Sequence, residues 1–127
     1  MKRAAFLTIV GLFAASCGSG GTSLYTKQAS AACFTKQGLP VGGASDDFVA
    51  SSATGGAFRV ALPHNSVTIS FGQTADDAAN LDGAYRRFHA KNVGIDDILR
   101  VQGNAVMLWR VHPEDKDLAT VTACLEG

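Results

Sequence analysis

The chain has 127 residues, with 11 basic and 11 acidic side chains and therefore a formal net charge of zero. A neutral chain without a Lys/Arg-rich stripe lacks the charge that neutralises phosphates, so we expect no nucleic-acid partner. The length suits one small domain.

The start of the chain has the layout of a bacterial export signal. Lys2 and Arg3 precede an uncharged, mostly apolar run over 4–15, and small residues then lead directly to Cys17. The apolar run is too short to cross a bilayer as a mature helix. We therefore predict that residues 1–16 are a signal peptide, which export removes.

The small residues before Cys17 resemble the lipobox of bacterial lipoproteins. In that family a peptidase cuts before the cysteine, which then carries lipid. The resemblance implies a lipid on Cys17, the membrane as partner through that lipid, and a location at the outer face of the bacterial cell membrane or in the periplasm. Ala14 departs from the pattern, which usually has a branched apolar residue there. Residues 14–16 also fit the general signal peptidase, so free secretion is the alternative.

A lipid on Cys17 leaves two further cysteines in the chain. Exported proteins form disulfides in oxidising compartments, so we expect Cys33 and Cys124 to be bonded. The alternative is two buried free thiols. The Gly/Ser-rich stretch after Cys17 predicts a flexible tether over 17–29, followed by a single domain over 30–127.

Short strands and helices alternate along the predicted domain. Thr74 is a helix cap, and Asp76 and Asp77 follow it in the first turn, where they favour the positive end of the helix dipole. Ala78, Leu81, Tyr85 and Phe88 recur at helical spacing and predict a buried stripe on that helix. The other predicted elements are a helix over 30–37, strands over 57–62, 67–71, 98–102 and 105–111, a helix beginning at Pro113, and a loop over 41–56 with at most a short edge strand.

Two segments share one order of elements, a hairpin followed by a helix, and aligning them matches Val67 with Val106, 39 residues later. The pattern predicts an α+β fold with a four-stranded, mainly antiparallel sheet and both helices on one face. The disulfide would tie the N-terminal helix to the C-terminal helix. Val67, Ile69 and Phe71 are expected to face the helices.

The same alignment places two large side chains on the opposite face of the sheet. Because Trp is enriched at interaction hot spots, this face is a candidate partner surface. Its residues are Arg59, Thr68, Ser70, Met107 and Trp109. The other reading, which we favour, is a second core layer covered by residues 28–56.

The sequence carries none of the CxxC, HExxH, P-loop or GxSxG motifs. We therefore expect no catalytic residue, cofactor or metal, and we favour a non-enzymatic binding or interaction module at the cell envelope. A structural role in the cell envelope is a third hypothesis for the function.

The alternative from another class is a small exported enzyme whose site combines dispersed histidines and carboxylates. His64 and His112 are its candidates, and a metal site would combine His112 with Glu114 and Asp115. This alternative predicts a histidine hydrogen-bonded to a carboxylate or a serine at the bottom of a pocket.

Overall fold

The computed structural model describes residues 24–127, so the predicted signal peptide, Cys17 and the predicted tether up to residue 23 lie outside the described residues. Helices and strands alternate irregularly within this range. In chain order they are α1 (Lys27–Lys36), β1 (Val41–Gly42), α2 (Phe48–Ser51), β2 (Ala57–Ala61), β3 (Ser66–Phe71), α3 (Ala75–Phe88), α4 (Ile95–Ile98), β4 (Leu99–Gln102), β5 (Ala105–Trp109) and α5 (Asp115–Ala123).

The fold is α+β and is built on an antiparallel sheet, as predicted. The strand order is β1-β2-β3-β5-β4, with every neighbouring pair antiparallel. The sheet has five strands rather than the predicted four, because Val41 and Gly42 pair with Val60 and Arg59 and add a short edge strand. Both predicted hairpins are present, and the side chain of Thr74 caps α3 by accepting from the backbone N–H of Asp77 at 3.1 Å.

One face of the sheet carries the larger core. Val67 lies opposite Trp109, and Ile69 lies opposite Met107. Residues directly opposed on neighbouring strands share a face, so all four side chains point the same way. Helices α1 and α5 cover this face. The buried residues of this core are Phe34, Phe58, Val60, Val67, Ile69, Phe71, Ala105, Met107, Trp109, Val121, Cys124 and Leu125.

The other face of the sheet packs against α3 and α2. Its core contains Val49, Ala78, Leu81, Tyr85, Leu99 and Val106. Helices therefore cover both faces, and the prediction of helices on one face was wrong. The cause is register, because a shift of one residue moves a strand's whole apolar set to the other face. Val106 lies opposite Ser70 and so faces away from Val67, with which the sequence alignment had matched it.

The two ends of the described chain are joined. The Cys33–Cys124 disulfide links α1 to the residue after α5, which confirms the predicted bond. The backbone N–H of Thr26 also donates to Glu126 O at 2.7 Å. Helix α1 begins at Lys27, so residues 24–29 belong to the folded unit rather than to the tether in which the sequence analysis placed them.

Candidate binding cleft

An apolar cleft of about 330 Å³ opens on the α3 face, at the end of the sheet where α3 finishes. Leu108 of β5 contributes to its wall, together with residues from α2, the last turn of α3 and the segment that leads into α4. The lining residues are Asp47, Phe48, Val49, Tyr85, Phe88, His89, Ala90, Val93, Ile95, Ile98 and Leu108. Volumes of this size are typical of small-ligand sites, which are mostly apolar with a few polar groups.

Two exposed phenylalanines form the rim of this cleft. Phe48 is 75% exposed and Phe88 is 62% exposed. Their rings meet edge to face, with centroids 6.0 Å apart. Scattered exposed apolar residues are ordinary, but two paired aromatic rings beside an apolar cleft are typical of an interaction site.

Asp47 holds the two walls of the cleft together. One carboxylate oxygen accepts from the backbone N–H of Ala50 at 2.9 Å and caps α2. The other accepts from the Tyr85 hydroxyl of α3 at 2.9 Å. One side chain therefore fixes α2 against α3 and sets the position of Phe48 at the rim.

Tyr85 lies beneath the cleft and is bonded on both sides. Its hydroxyl oxygen is 3.5 Å from Ser70 Oγ on β3, in addition to its bond to Asp47. Burial is the main cause that raises the pKa of the Tyr85 hydroxyl far above its usual value. The hydroxyl therefore keeps its proton and continues to donate to Asp47.

A second cavity, which we call the polar pocket, lies next to the cleft and has a volume of about 350 Å³. It shares Asp47 and Leu108 with the cleft, so the two cavities adjoin each other, and we call the pair the groove. Its lining residues are Asp46, Asp47, Arg59, Ser66, Thr68, Leu108, Trp109 and Arg110.

Arg59 is held in place within the polar pocket. Its Nη1 is 3.2 Å from a carboxylate oxygen of Asp46, and its Nε donates to Thr68 Oγ1 at 3.2 Å. The hydrogen bond from Arg59 is the main cause that lowers the pKa of Asp46. The Asp46 carboxyl is therefore ionised near neutral pH.

The five residues of the predicted partner surface lie on two faces of the sheet. Arg59 and Thr68 line the polar pocket, and Ser70 is buried beneath Tyr85. Met107 and Trp109 are only 2% and 1% exposed, in the core under α1 and α5. Their side chains therefore belong to the core, as the core-layer reading of this face predicted, although Trp109 also borders the polar pocket.

Sequence reasoning missed the two phenylalanines of the rim. Phe88 was expected in the buried stripe of α3, but it lies at the last residue of that helix and is exposed. Phe48 lies in the Gly/Ala/Ser-rich stretch that was predicted to be loop. The available signal was Asp47, a residue type that caps helices, directly before an apolar triplet.

The histidines lie outside the groove except for His89 at its edge. His112 Nδ1 is 2.6 Å from Asp97 Oδ1, but their side chains are 65% and 58% exposed. The histidine–carboxylate pair that the enzyme alternative requires is thus found in solvent, not at the bottom of a pocket. Within residues 24–127, no group of three or more His, Cys, Asp or Glu side chains is arranged to hold a metal ion.

Comparisons with family models, curated proteins and solved structures gave no match for this chain. Among the helices of the described part, none has the length and apolar character needed to cross a membrane.

Proposed function

We propose that the protein is an exported lipoprotein, anchored by a lipid on Cys17, and that its cleft binds an apolar group at the bacterial cell envelope. The pair of exposed rings, Phe48 and Phe88, at the mouth of an apolar cleft is the observation that carries the binding function. The lipobox-like sequence before Cys17 and the Cys33–Cys124 disulfide support export.

The groups that line the cleft favour binding over catalysis. Asp47 already accepts from Ala50 and Tyr85. His89 Nδ1 lies 2.7 Å from the carbonyl oxygen of its neighbour Ala90. A general base must reach a substrate proton, and here both candidate groups are engaged with the protein.

The position of the cleft relative to the tether supports a ligand that arrives from the side away from the membrane. Tyr25 lies at the β4–β5 turn, where its hydroxyl accepts from Gln102 at 3.1 Å and its backbone N–H donates to Asn104 at 2.7 Å. Helix α3 starts at that same end, because Gly72 N donates to Asn104 O at 2.8 Å. It then runs for 14 residues, or about 21 Å, to the cleft.

The short connection between Cys17 and the domain restricts how the domain can lie relative to the bilayer. Leu24 follows Cys17 by seven residues, which span about 25 Å at most when fully extended. A lipid on Cys17 would hold the tether end of the domain close to the bilayer. The cleft, at the other end, would then face the envelope space.

Binding of a neutral apolar dye, Nile red, tests the cleft. The protein with Cys17→Ser carries no lipid on residue 17 that would compete with the dye. We expect Phe48→Ser to weaken dye binding about tenfold, because it removes apolar area at the rim. Leu24→Ser is the matched control, since Leu24 is 46% exposed at the opposite end of the domain. Absence of dye binding, or equal loss in both variants, would contradict the proposed cleft.

Mass spectrometry of the mature N-terminus tests the anchor separately. We expect the first residue to be Cys17 with its thiol modified by lipid. A mature chain with an unmodified Cys17 thiol would overturn the anchor and favour secretion, while leaving the binding test unaffected.

A further inference from the structure

The groove has two chemically different halves that adjoin each other. The apolar cleft and the polar pocket share Asp47 and Leu108, and each is large enough for part of a small ligand. A purely apolar ligand would leave the polar pocket unused. A ligand that fills both halves must itself have an apolar part joined to a polar part.

The charges in the polar pocket indicate the sign of that polar part. Asp46 is paired with Arg59, and the oxygens of Asp47 accept from Ala50 and Tyr85. Arg110 is different, because within residues 24–127 no carboxylate oxygen lies within 4.0 Å of its guanidinium. Asp47 has no cation partner either, but both of its oxygens accept hydrogen bonds. Arg110 is therefore the charged side chain of the pocket whose charged group forms neither an ion pair nor a hydrogen bond with the described residues.

The fold places Arg110 on the wall of the polar pocket. Its backbone N–H donates to Ser66 O at 2.9 Å and continues the β3–β5 ladder by one residue. Because side chains alternate along a strand, Arg110 is on the same face as Leu108, which the cleft and the pocket share. A ligand lying along Leu108 would thus extend from the two phenylalanines to the guanidinium.

We infer that the ligand is a single-chain amphiphile of the fatty-acid class, with its chain in the cleft and its carboxylate on Arg110. This inference rests on the proposed binding function and names the ligand class for the same site. The planar guanidinium matches a carboxylate through two parallel hydrogen bonds, and such charge-assisted bonds are stronger than neutral ones. The apolar cleft, with a volume of about 330 Å³, has room for one alkyl chain rather than two.

A second cation near the cleft provides a matched control. Arg87 is on the last turn of α3, and its guanidinium carbon lies 6.0 Å from the centre of the Phe88 ring. It is near the rim of the apolar half but does not line the polar pocket. If simple attraction by nearby positive charge were enough, Arg87 and Arg110 would contribute alike. If the headgroup occupies the polar pocket, only Arg110 should affect the preference for a carboxylate.

The test compares three amphiphiles of equal chain length as competitors of Nile red, each below its critical micelle concentration and near neutral pH. The probes are decanoate, 1-decanol and decylamine, with the exported Cys17→Ser protein as the binding partner. We expect decanoate to bind about tenfold more tightly than 1-decanol, as one charge-assisted interaction allows. Arg110→Gln should remove this preference, and Arg87→Gln should keep it.

The outcomes separate this inference from the proposed function. Equal affinity of decanoate and 1-decanol, tighter binding of decylamine, or a preference that survives Arg110→Gln would overturn the fatty-acid assignment and leave the apolar cleft standing. Failure of Nile red and of all three amphiphiles to bind would overturn the proposed function itself. Because Arg110 is exposed, its variant is expected to fold, and a urea unfolding curve like that of the protein with Arg110 reports that it does.

Discussion

The two faces of the sheet differ in how completely the helices cover them. On the α1–α5 face, Trp109, Phe34 and Phe71 are at most 1% exposed, and a disulfide joins the two covering helices. On the α3 face, Phe48 and Phe88 remain largely in solvent around an open groove. The comparison indicates that the α1–α5 face contributes most of the stability, so that the α3 face is free to form a site.

The closed face also includes the ends of the described chain. Asn104 is 1% exposed, and its side chain donates to the carbonyl oxygens of Tyr25 and Gly72 at 2.8 Å each. This bonding fixes the start of the domain at the end of the sheet that is remote from the groove. The same arrangement that secures the chain start therefore keeps it away from the candidate site.

The largest expected effect is the loss of the disulfide. Replacing Cys33 and Cys124 by Ser together should lower the free energy of unfolding by about 4.5 kcal/mol, because the bond closes a loop with a sequence separation of 91 residues. Urea unfolding measures the loss, and Nile red affinity under native conditions should not change. A folded double variant that no longer binds the dye would show that the two faces are not independent.

Replacing one aromatic residue on each face gives the next largest contrast. Trp109→Ala should cost about 3 kcal/mol of stability, because it opens a cavity in the larger core. We expect a loss of stability at the low end of the range for a buried Trp. The buried Nε1 of Trp109 has no hydrogen-bond partner among the described residues, and the substitution removes this unfavourable group together with the ring. Phe48→Ala should change stability by no more than about 0.5 kcal/mol. Similar losses from the two substitutions in urea unfolding would contradict the division between faces.

The smallest expected effect is a dependence of stability on alkaline pH that Tyr85 causes. The usual pKa of a tyrosine is 10.0, and burial raises that of Tyr85 in the folded protein. Above pH 10 the unfolded chain therefore loses a proton that the folded protein keeps. The contribution of protonated Tyr85 to the free energy of unfolding is thus fully present below pH 10 and is lost as the pH rises. Relative to Tyr85→Phe, the unmodified residue should lower the free energy of unfolding by up to about 1.4 kcal/mol per pH unit above pH 10. Parallel pH profiles of the two proteins in urea unfolding would contradict the claim that burial raises the pKa of Tyr85.

Local signals in the sequence were sufficient for much of the fold. The cap at Thr74 and the strands predicted over 67–71, 98–102 and 105–111 each depend on near neighbours, and these elements are present. The Cys33–Cys124 bond followed from the number of cysteines and the expected compartment.

The register between distant strands was beyond those signals. Nothing in the local pattern states that Val67 pairs with Trp109, and the alternative alignment with Val106 reverses the face of every residue on β5. The groove depends on that register and on α2, a helix of four residues in a stretch of small side chains. The candidate partner surface that the sequence offered was therefore the face of Trp109, and it did not include Phe48 or Phe88.

Nuclear magnetic resonance mapping of the ligand position tests the central claim most directly. The exported Cys17→Ser protein, labelled with ¹⁵N, is titrated with 1-decanol while its backbone amide signals are followed. The account predicts shifts confined to residues around the cleft, such as Val93, Ile95 and Leu108, with the amides of α1 and α5 unchanged. Shifts centred on α1 and α5, or no shifts at all, would contradict an apolar binding site on the α3 face.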